Sequence, residues 1–186
     1  MSQTKSMILA ALFAALTAVG ALIRIPTPIS SFTLQVLFVA MSGVLLGSKW
    51  GFLSQAAYIL LGLVGLPVFV SGGGLSALLQ PTFGFLLGMA AMSFLVGYIV
   101  ERRGAKAFTV LWACALGLIP LYAIGLPYMH LILTVYMKLG QTIWDTVWGG
   151  MMIFLPWDAL KIAVTALLCA KLYPLLHRSA AVSPSL

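Results

Sequence analysis

Long apolar runs, cut by short polar or glycine- and proline-rich breaks, organise this chain. A helix that crosses a bilayer needs about 20 mostly apolar residues. Runs of this kind occupy 6–23, 33–48, 51–66, 84–100, 107–126 and 156–176. Lys5 precedes the first, and Arg24-Ile-Pro-Thr-Pro28, Lys49-Trp50, Pro67, Glu101-Arg-Arg-Gly104 with Lys106, and Pro127 punctuate the others. The pattern predicts an all-α integral membrane protein with six transmembrane helices in a single domain, 1–186, ending in a short polar tail at 177–186. The second and third runs are short, at 16 residues each, which predicts tilted or partly re-entrant packing or a locally thinned bilayer. The first run, behind Lys5 and with small residues at 18–21, also has the form of a signal peptide. In a chain that continues as a membrane protein, that helix is expected to serve as its own insertion signal.

Two breaks are long. Residues 67–83 hold Ser71-Gly-Gly-Gly74 and Gln80-Pro-Thr-Phe83. Triple glycine weakens a helix by roughly 1 kcal/mol per glycine, so this segment is expected to be a loop. Its side chains are largely apolar, and it is expected to fold back onto the protein or line a cavity. The connector 128–155 carries Lys138, Gln141 and Asp145 among Tyr128, Tyr136, Trp144 and Trp148. Part of it is expected to be helical and to lie at the membrane interface, where such rings are favoured.

Composition narrows the class. Charged residues make up 7% and hydrophobic residues 62%. A soluble fold needs far more polar surface, and disorder needs low hydrophobicity with high charge. The net charge of +7 does not indicate nucleic-acid binding, because the basic residues are scattered at the ends of apolar runs instead of gathered on one solvated face. With six crossings both termini share a side. Lys5, Lys49, Arg102, Arg103, Lys106, Lys171 and Arg178 fall on that side and Arg24 and Lys138 on the other. This places the termini in the cytoplasm. The glycine-rich loop, the first loop and the connector then share the outward face, as an extracellular binding pocket requires. Cys114 and Cys169 lie inside apolar runs and predict neither a disulfide framework nor a metal site.

The few ionisable residues can be weighed singly. Glu101, beside Arg102 and Arg103, reads as a solvated turn residue, and Asp145 as interfacial. Asp158 and Lys161 stand at i and i+3 near the start of an apolar spanning run and share one helix face. A charge at mid-bilayer costs roughly 2.5–3.5 kcal/mol even on the lenient insertion scale. One reading is structural, with Asp158 complementing the helix N-terminus and Lys161 pairing with it or snorkelling. The other is a ligand site with an acceptor and a donor on a rigid helix, the default for intramembrane ionisable groups. His130 and His177 have no acids at metal spacing, and the glycine loop lacks nucleotide-loop spacing. No catalytic motif or cofactor signature is visible, so an enzyme is not expected. Active transport would need an ATP-hydrolysing partner or an ion gradient. Alanines at 10, 14 and 18, and again at 11 and 15, form small-residue stripes of period four that let another helix approach closely.

Four segments together carry a resemblance. Gly72-Gly-Gly-Leu-Ser-Ala-Leu-Leu-Gln-Pro-Thr-Phe-Gly-Phe-Leu-Leu-Gly88 resembles the GGG…PTGGYLxGF signature of the BioY family, the biotin-binding S components of energy-coupling factor (ECF) transporters. Phe32-Thr-Leu-Gln35 resembles its PxTLQ. Leu45-Leu-Gly47 followed by Tyr58-Ile-Leu-Leu-Gly-Leu-Val-Gly-Leu-Pro-Val-Phe69 resembles its LLG…YLLLGxxGLPVF, and Pro156-Trp-Asp-Ala-Leu-Lys161 its PGDLxK. Phe83 stands where the family has glycine, Phe85 where it has tyrosine, and Trp157 where it has glycine before the aspartate. These departures sit at the expected pocket rim.

The resemblance implies a six-helix S component that captures biotin from outside and delivers it across the membrane with a membrane-embedded T component and ATPase subunits. It implies a site in which Asp158 accepts from a ureido N–H and Lys161 donates to the ureido carbonyl or the carboxylate. Gln80 would supply an amide, and Gly72, Gly73 and Gly74 would offer backbone N–H groups at close approach. Phe83 and Tyr136 would pack the ring and chain, with Thr82 and Gln35 also in the site. The stripe of Ala10, Ala14 and Ala18 resembles the AxxxA surface by which S components dock on the T component. Two other expectations compete: an S component for another vitamin or small heterocycle, and a membrane sensor or assembly protein without transport.

Overall fold

The computed structural model describes residues 2–26 and 31–178. The expected polar tail beyond 178, and Thr27 and Pro28 of the first break, lie outside the described residues. The chain runs through α1 (Gln3–Leu22), an antiparallel hairpin of β1 (Arg24–Pro26) and β2 (Ser31–Thr33), and α2 (Gln35–Leu63). A 3-10 turn (Leu75–Leu79) leads to α3 (Phe83–Arg103), α4 (Ala107–Leu131), α5 (Ile143–Val147) and α6 (Leu155–Arg178). π-helical turns follow α4 at Ile132–Tyr136 and α5 at Trp148–Met152. Among the described residues, five helical stretches are long and apolar enough to cross a membrane. Ile8, Leu12, Phe108, Ile119 and Leu167 are exposed on them, a surface suited to lipid.

Most of the runs 33–48 and 51–66 falls within α2, and that element doubles back. Gly47 has φ 81° and ψ −178°. Gln35 Nε2 donates to the Tyr58 hydroxyl at 3.0 Å, 23 residues away, whereas a straight helix would separate them by ~35 Å. The arms 35–46 and 48–63 are therefore antiparallel. Glu101, in the last turn of α3, holds the reversal: its carboxylate accepts the Ser48 backbone N–H at 3.0 Å and the Ser48 hydroxyl at 2.8 Å. The N–H groups at the start of the second arm have no helical partner of their own, so an acceptor here acts as a cap. A side chain at Gly47 would strike Glu101, and its positive φ favours glycine. Glu101 is exposed at this helix end, as its reading as a solvated turn residue expects, and it serves in addition as the acceptor that holds the corner.

Inside the bundle, polar groups must be satisfied by protein. Gln55 Nε2 lies within 3.3 Å of the hydroxyls of Thr17, Ser42 and Ser54, and Ser42 meets Ser93 at 2.9 Å. These contacts tie α1, both arms of α2 and α3 together. Ala10 and Ala14 are 6% and 4% exposed, within the core. Their small side chains are used where α1 packs on α2, and Ala18 is half-buried against the second apolar cluster. This corrects the expectation that Ala10, Ala14 and Ala18 form an open docking face. Ala11 and Ala15 are the exposed pair.

Two helix ends also differ from expectation. The third run stops at Leu63, followed by Gly65 at φ 114°, a left-handed residue of the kind that ends helices. Pro127 does not end the fifth run. Helix α4 passes through Pro120 and Pro127 to Leu131 and into the π-helical turn. Proline removes one backbone donor, and membrane helices absorb this by local 3-10 or π adjustment. At the other end of the bundle Lys5 Nζ donates to the Leu176 carbonyl at 2.9 Å, so the start of α1 and the end of α6 lie together. In the connector, Thr142 and Asp145 form a reciprocal capping box that starts α5. Asp145 there is exposed, as are Trp144 and Trp148.

Candidate functional site

The first two turns of α6 place Asp158 and Lys161 one above the other on the face turned into the bundle, only 3% and 7% exposed. Lys161 Nζ donates to Asp158 Oδ1 at 2.6 Å. From α4, the Tyr122 hydroxyl donates to Asp158 Oδ2 at 2.6 Å. Asp158 also lies in the first turn of α6, where the N-terminal end of the helix dipole favours a negative charge. A lone charge buried here would be costly, and pairing with added hydrogen bonds offsets that cost.

Asp158, Lys161 and Tyr122 form one wall of a cavity of about 250 Å³. The hairpin and the start of α2 contribute Ser31, Thr33, Gln35 and Val36. The glycine-rich loop contributes Phe69, Val70, Ser71, Ala77 and Gln80, and the start of α3 contributes Thr82, Phe83, Phe85, Leu86 and Met89. Leu121, Gly150 and Phe154 complete the lining. The loops that roof it are tied down. Phe32 on β2 packs on Phe154 with ring centres 4.5 Å apart and on Trp157 at 5.9 Å. The Arg24 guanidinium donates to the Val70 carbonyl, and the Tyr128 hydroxyl to the Leu78 carbonyl. Tyr58 donates to the Val68 carbonyl at 3.0 Å.

The residues expected in the site fall into two groups. Asp158, Lys161, Gln35, Gln80, Thr82 and Phe83 all line this cavity. Gln35 is 3% exposed and already engaged, with its carbonyl accepting from Thr33 at 3.1 Å and its amide donating to Tyr58. Phe83 is 5% exposed, packed between Phe69 and Tyr128. Gly72, Gly73 and Gly74 do not line the cavity. The Gly72 N–H donates to Phe69 at 3.0 Å and the Gly74 N–H to Gly62 at 2.7 Å, and a side chain at Gly73 would strike the Leu66 carbonyl. These glycines shape the loop, and Gly72 and Gly74 spend their donors on the protein's own backbone. Tyr136, in the π-helical turn after α4, is 57% exposed and outside the lining. Phe85, expected at the pocket rim, does line the cavity, whereas Tyr122, Thr33 and Phe154 are lining residues that sequence reasoning missed. The only signal for Tyr122 was a phenol within a continuous apolar run.

The wall therefore sets one acceptor beside one cationic donor, with aromatic rings and a second amide around them. Such a site recognises a small molecule with a polar head and an apolar body. A second hollow of about 260 Å³ adjoins it across Lys161, lined by Ile23, Ile25, Leu34, Leu37, Leu160 and Val164 with Arg24 at its edge. It has the same size but no carboxylate, so the placed polar groups, and not volume, single out the first.

Comparison with known proteins gives a consistent picture. A sequence model of the BioY family matches residues 1–178. A protein of Lysinibacillus sphaericus named probable biotin transporter BioY is 43% identical over 97% of this chain and 92% of its own length. The biotin transporter BioY of Thermotoga maritima is 37% identical over 90% of this chain and 95% of its own length. A crystal structure described as the S-component for biotin from an ECF-type ABC transporter matches with a TM-score of 0.79 and 25% identity, over 92% of this chain and 94% of that one.

Proposed function

The chain belongs to the BioY family, and from that premise we propose that it is a multi-pass membrane protein that captures biotin as the S component of an ECF-type importer. The observation that carries the reading is the buried Asp158–Lys161 pair facing the cavity. A cyclic urea presents an N–H beside its C=O on each edge. Asp158 accepts from the N–H of one edge, and Lys161 donates to the neighbouring carbonyl. Gln80, whose amide holds an acceptor and a donor, suits the other edge. Phe69, Phe83, Phe85 and Phe154 supply apolar surface for the sulfur ring and the chain. A molecule lacking the urea would leave the remaining hydrogen-bonding capacity of the buried Asp158 and Lys161 unmatched, which is where selectivity of this kind arises.

The two antiparallel arms of α2 support counting six crossings, with the glycine-rich loop folded back over the cavity. The excess of lysine and arginine at the end where Lys5 meets Leu176 supports cytoplasmic termini. Import would then require a T component and ATPases. The small-residue face that α1 leaves open to a membrane partner is Ala11 with Ala15.

The test is equilibrium binding of biotin to the purified protein without ATP. The double variant Asp158→Asn with Lys161→Met removes both charges together and is expected to weaken binding ~100-fold or more. Unchanged affinity in that variant would refute the site.

A further inference from the structure

Resting on the reading of this cavity as a biotin site, we propose that Tyr122 is a specificity-determining residue. By capping one oxygen of Asp158, it sets the wall to accept a neutral cyclic urea and to refuse the guanidinium form of the same ring. Two donors reach the carboxylate, Tyr122 on Oδ2 and Lys161 on Oδ1, each at 2.6 Å. Each oxygen thus carries a hydrogen bond before any ligand arrives. Tyr122, Asp158 and Lys161 all line the cavity and are 8%, 3% and 7% exposed, so water competes little for them.

A carboxylate with both oxygens open is the natural partner of a guanidinium or amidinium, which offers two parallel N–H groups to the fork. Tyr122 closes that fork. What remains toward the cavity is an acceptor on Asp158 beside the Lys161 ammonium, the complement of a urea edge. A guanidinium ring has N–H where the urea has C=O. It would turn a donor and a like charge toward Lys161 in a largely dry site, where such a mismatch is costly. Without the Tyr122 hydroxyl, Oδ2 is open, and a cationic ring can move onto the carboxylate and away from Lys161.

The Tyr122 ring packs edge-on against Phe85, centres 6.1 Å apart and planes at 86°. Phenylalanine keeps that packing, so Tyr122→Phe removes only the hydroxyl. The experiment measures Kd for biotin and for 2-iminobiotin, its guanidine analogue, protonated at neutral pH, on the full-length protein with and without Tyr122→Phe. Biotin is expected to weaken about tenfold, because the carboxylate loses the contact that holds it in register with the urea edge; the lost bond is made to Asp158 and not to biotin, so it acts through that positioning. Iminobiotin is expected to hold or tighten, so the preference for biotin narrows about tenfold or more. Desthiobiotin, which keeps the urea without the sulfur, is expected to follow biotin. Parallel weakening of both rings, loss of both, or no change in either would overturn the proposal and leave Tyr122 a packing residue. If the Asp158→Asn, Lys161→Met variant still binds biotin, the site reading falls and this one with it. If that variant loses binding while Tyr122→Phe keeps the parental preference, only the selectivity role falls.

Discussion

Two carboxylates at different levels of this bundle accept from similar partners and do different work. Glu101, in the last turn of α3, takes an N–H and a hydroxyl from Ser48 and lies exposed at a corner. Asp158, near the start of α6, takes a phenol and an ammonium and is buried beside a cavity. Glu101 closes a gap in the chain's own backbone bonding at the Ser48 N–H and adds the Ser48 hydroxyl. The contacts of Asp158 leave acceptor capacity turned toward an open volume. Surroundings, and not the acid itself, separate a structural group from a binding one: a carboxylate that completes the backbone is a cap, and one held ready beside empty space is a recognition element.

Substitutions can break or sharpen that contrast. Asp158→Asn alone leaves Lys161 buried without its counter-ion. It is expected to destabilise the protein by about 3–5 kcal/mol, with much of that recovered when Lys161→Met is added. Thermal unfolding in detergent of the single and double variants checks this, and a single variant as stable as the parent would mean that the pair is not buried as described. Glu101→Gln keeps one acceptor and loses the charge, so a smaller loss of about 1–2 kcal/mol is expected. Biotin affinity in that variant should stay within about twofold of the parent. A large drop in affinity with unchanged unfolding would erase the distinction between the two acids. Tyr136→Ala lies outside the lining and is expected to change both stability and affinity least, by under about 0.5 kcal/mol each. Titration calorimetry showing a tenfold loss would bring Tyr136 into the site.

The site was legible in the sequence where its members are neighbours in sequence or carry a family motif. Asp158 and Lys161 share a face because three residues make nearly one helical turn. Gln80, Thr82 and Phe83 follow from the punctuated loop that leads into α3. The glycines misled for a physical reason: a Gly-rich loop can bring its backbone to a ligand or spend it on its own turns, and nothing local separates the two. Gly72 and Gly74 spend theirs on Phe69 and Gly62. The alanines misled in a similar way, since period four marks a face without saying which neighbour covers it, and α2 covers Ala10 and Ala14.

By itself the sequence determined the membrane character, the order and approximate extent of the helices, the asymmetry of positive charge and the adjacency of Asp158 and Lys161. Each depends on composition or on spacing within one helical turn, which a linear string carries in full. Only the tertiary structure decided that Glu101 holds the corner at Gly47 between the two predicted runs, that α1 spends its alanines inward, and that Tyr122 reaches Asp158. Each of these joins groups far apart in the chain, and no local periodicity encodes which distant partner will satisfy a buried polar or small-residue face.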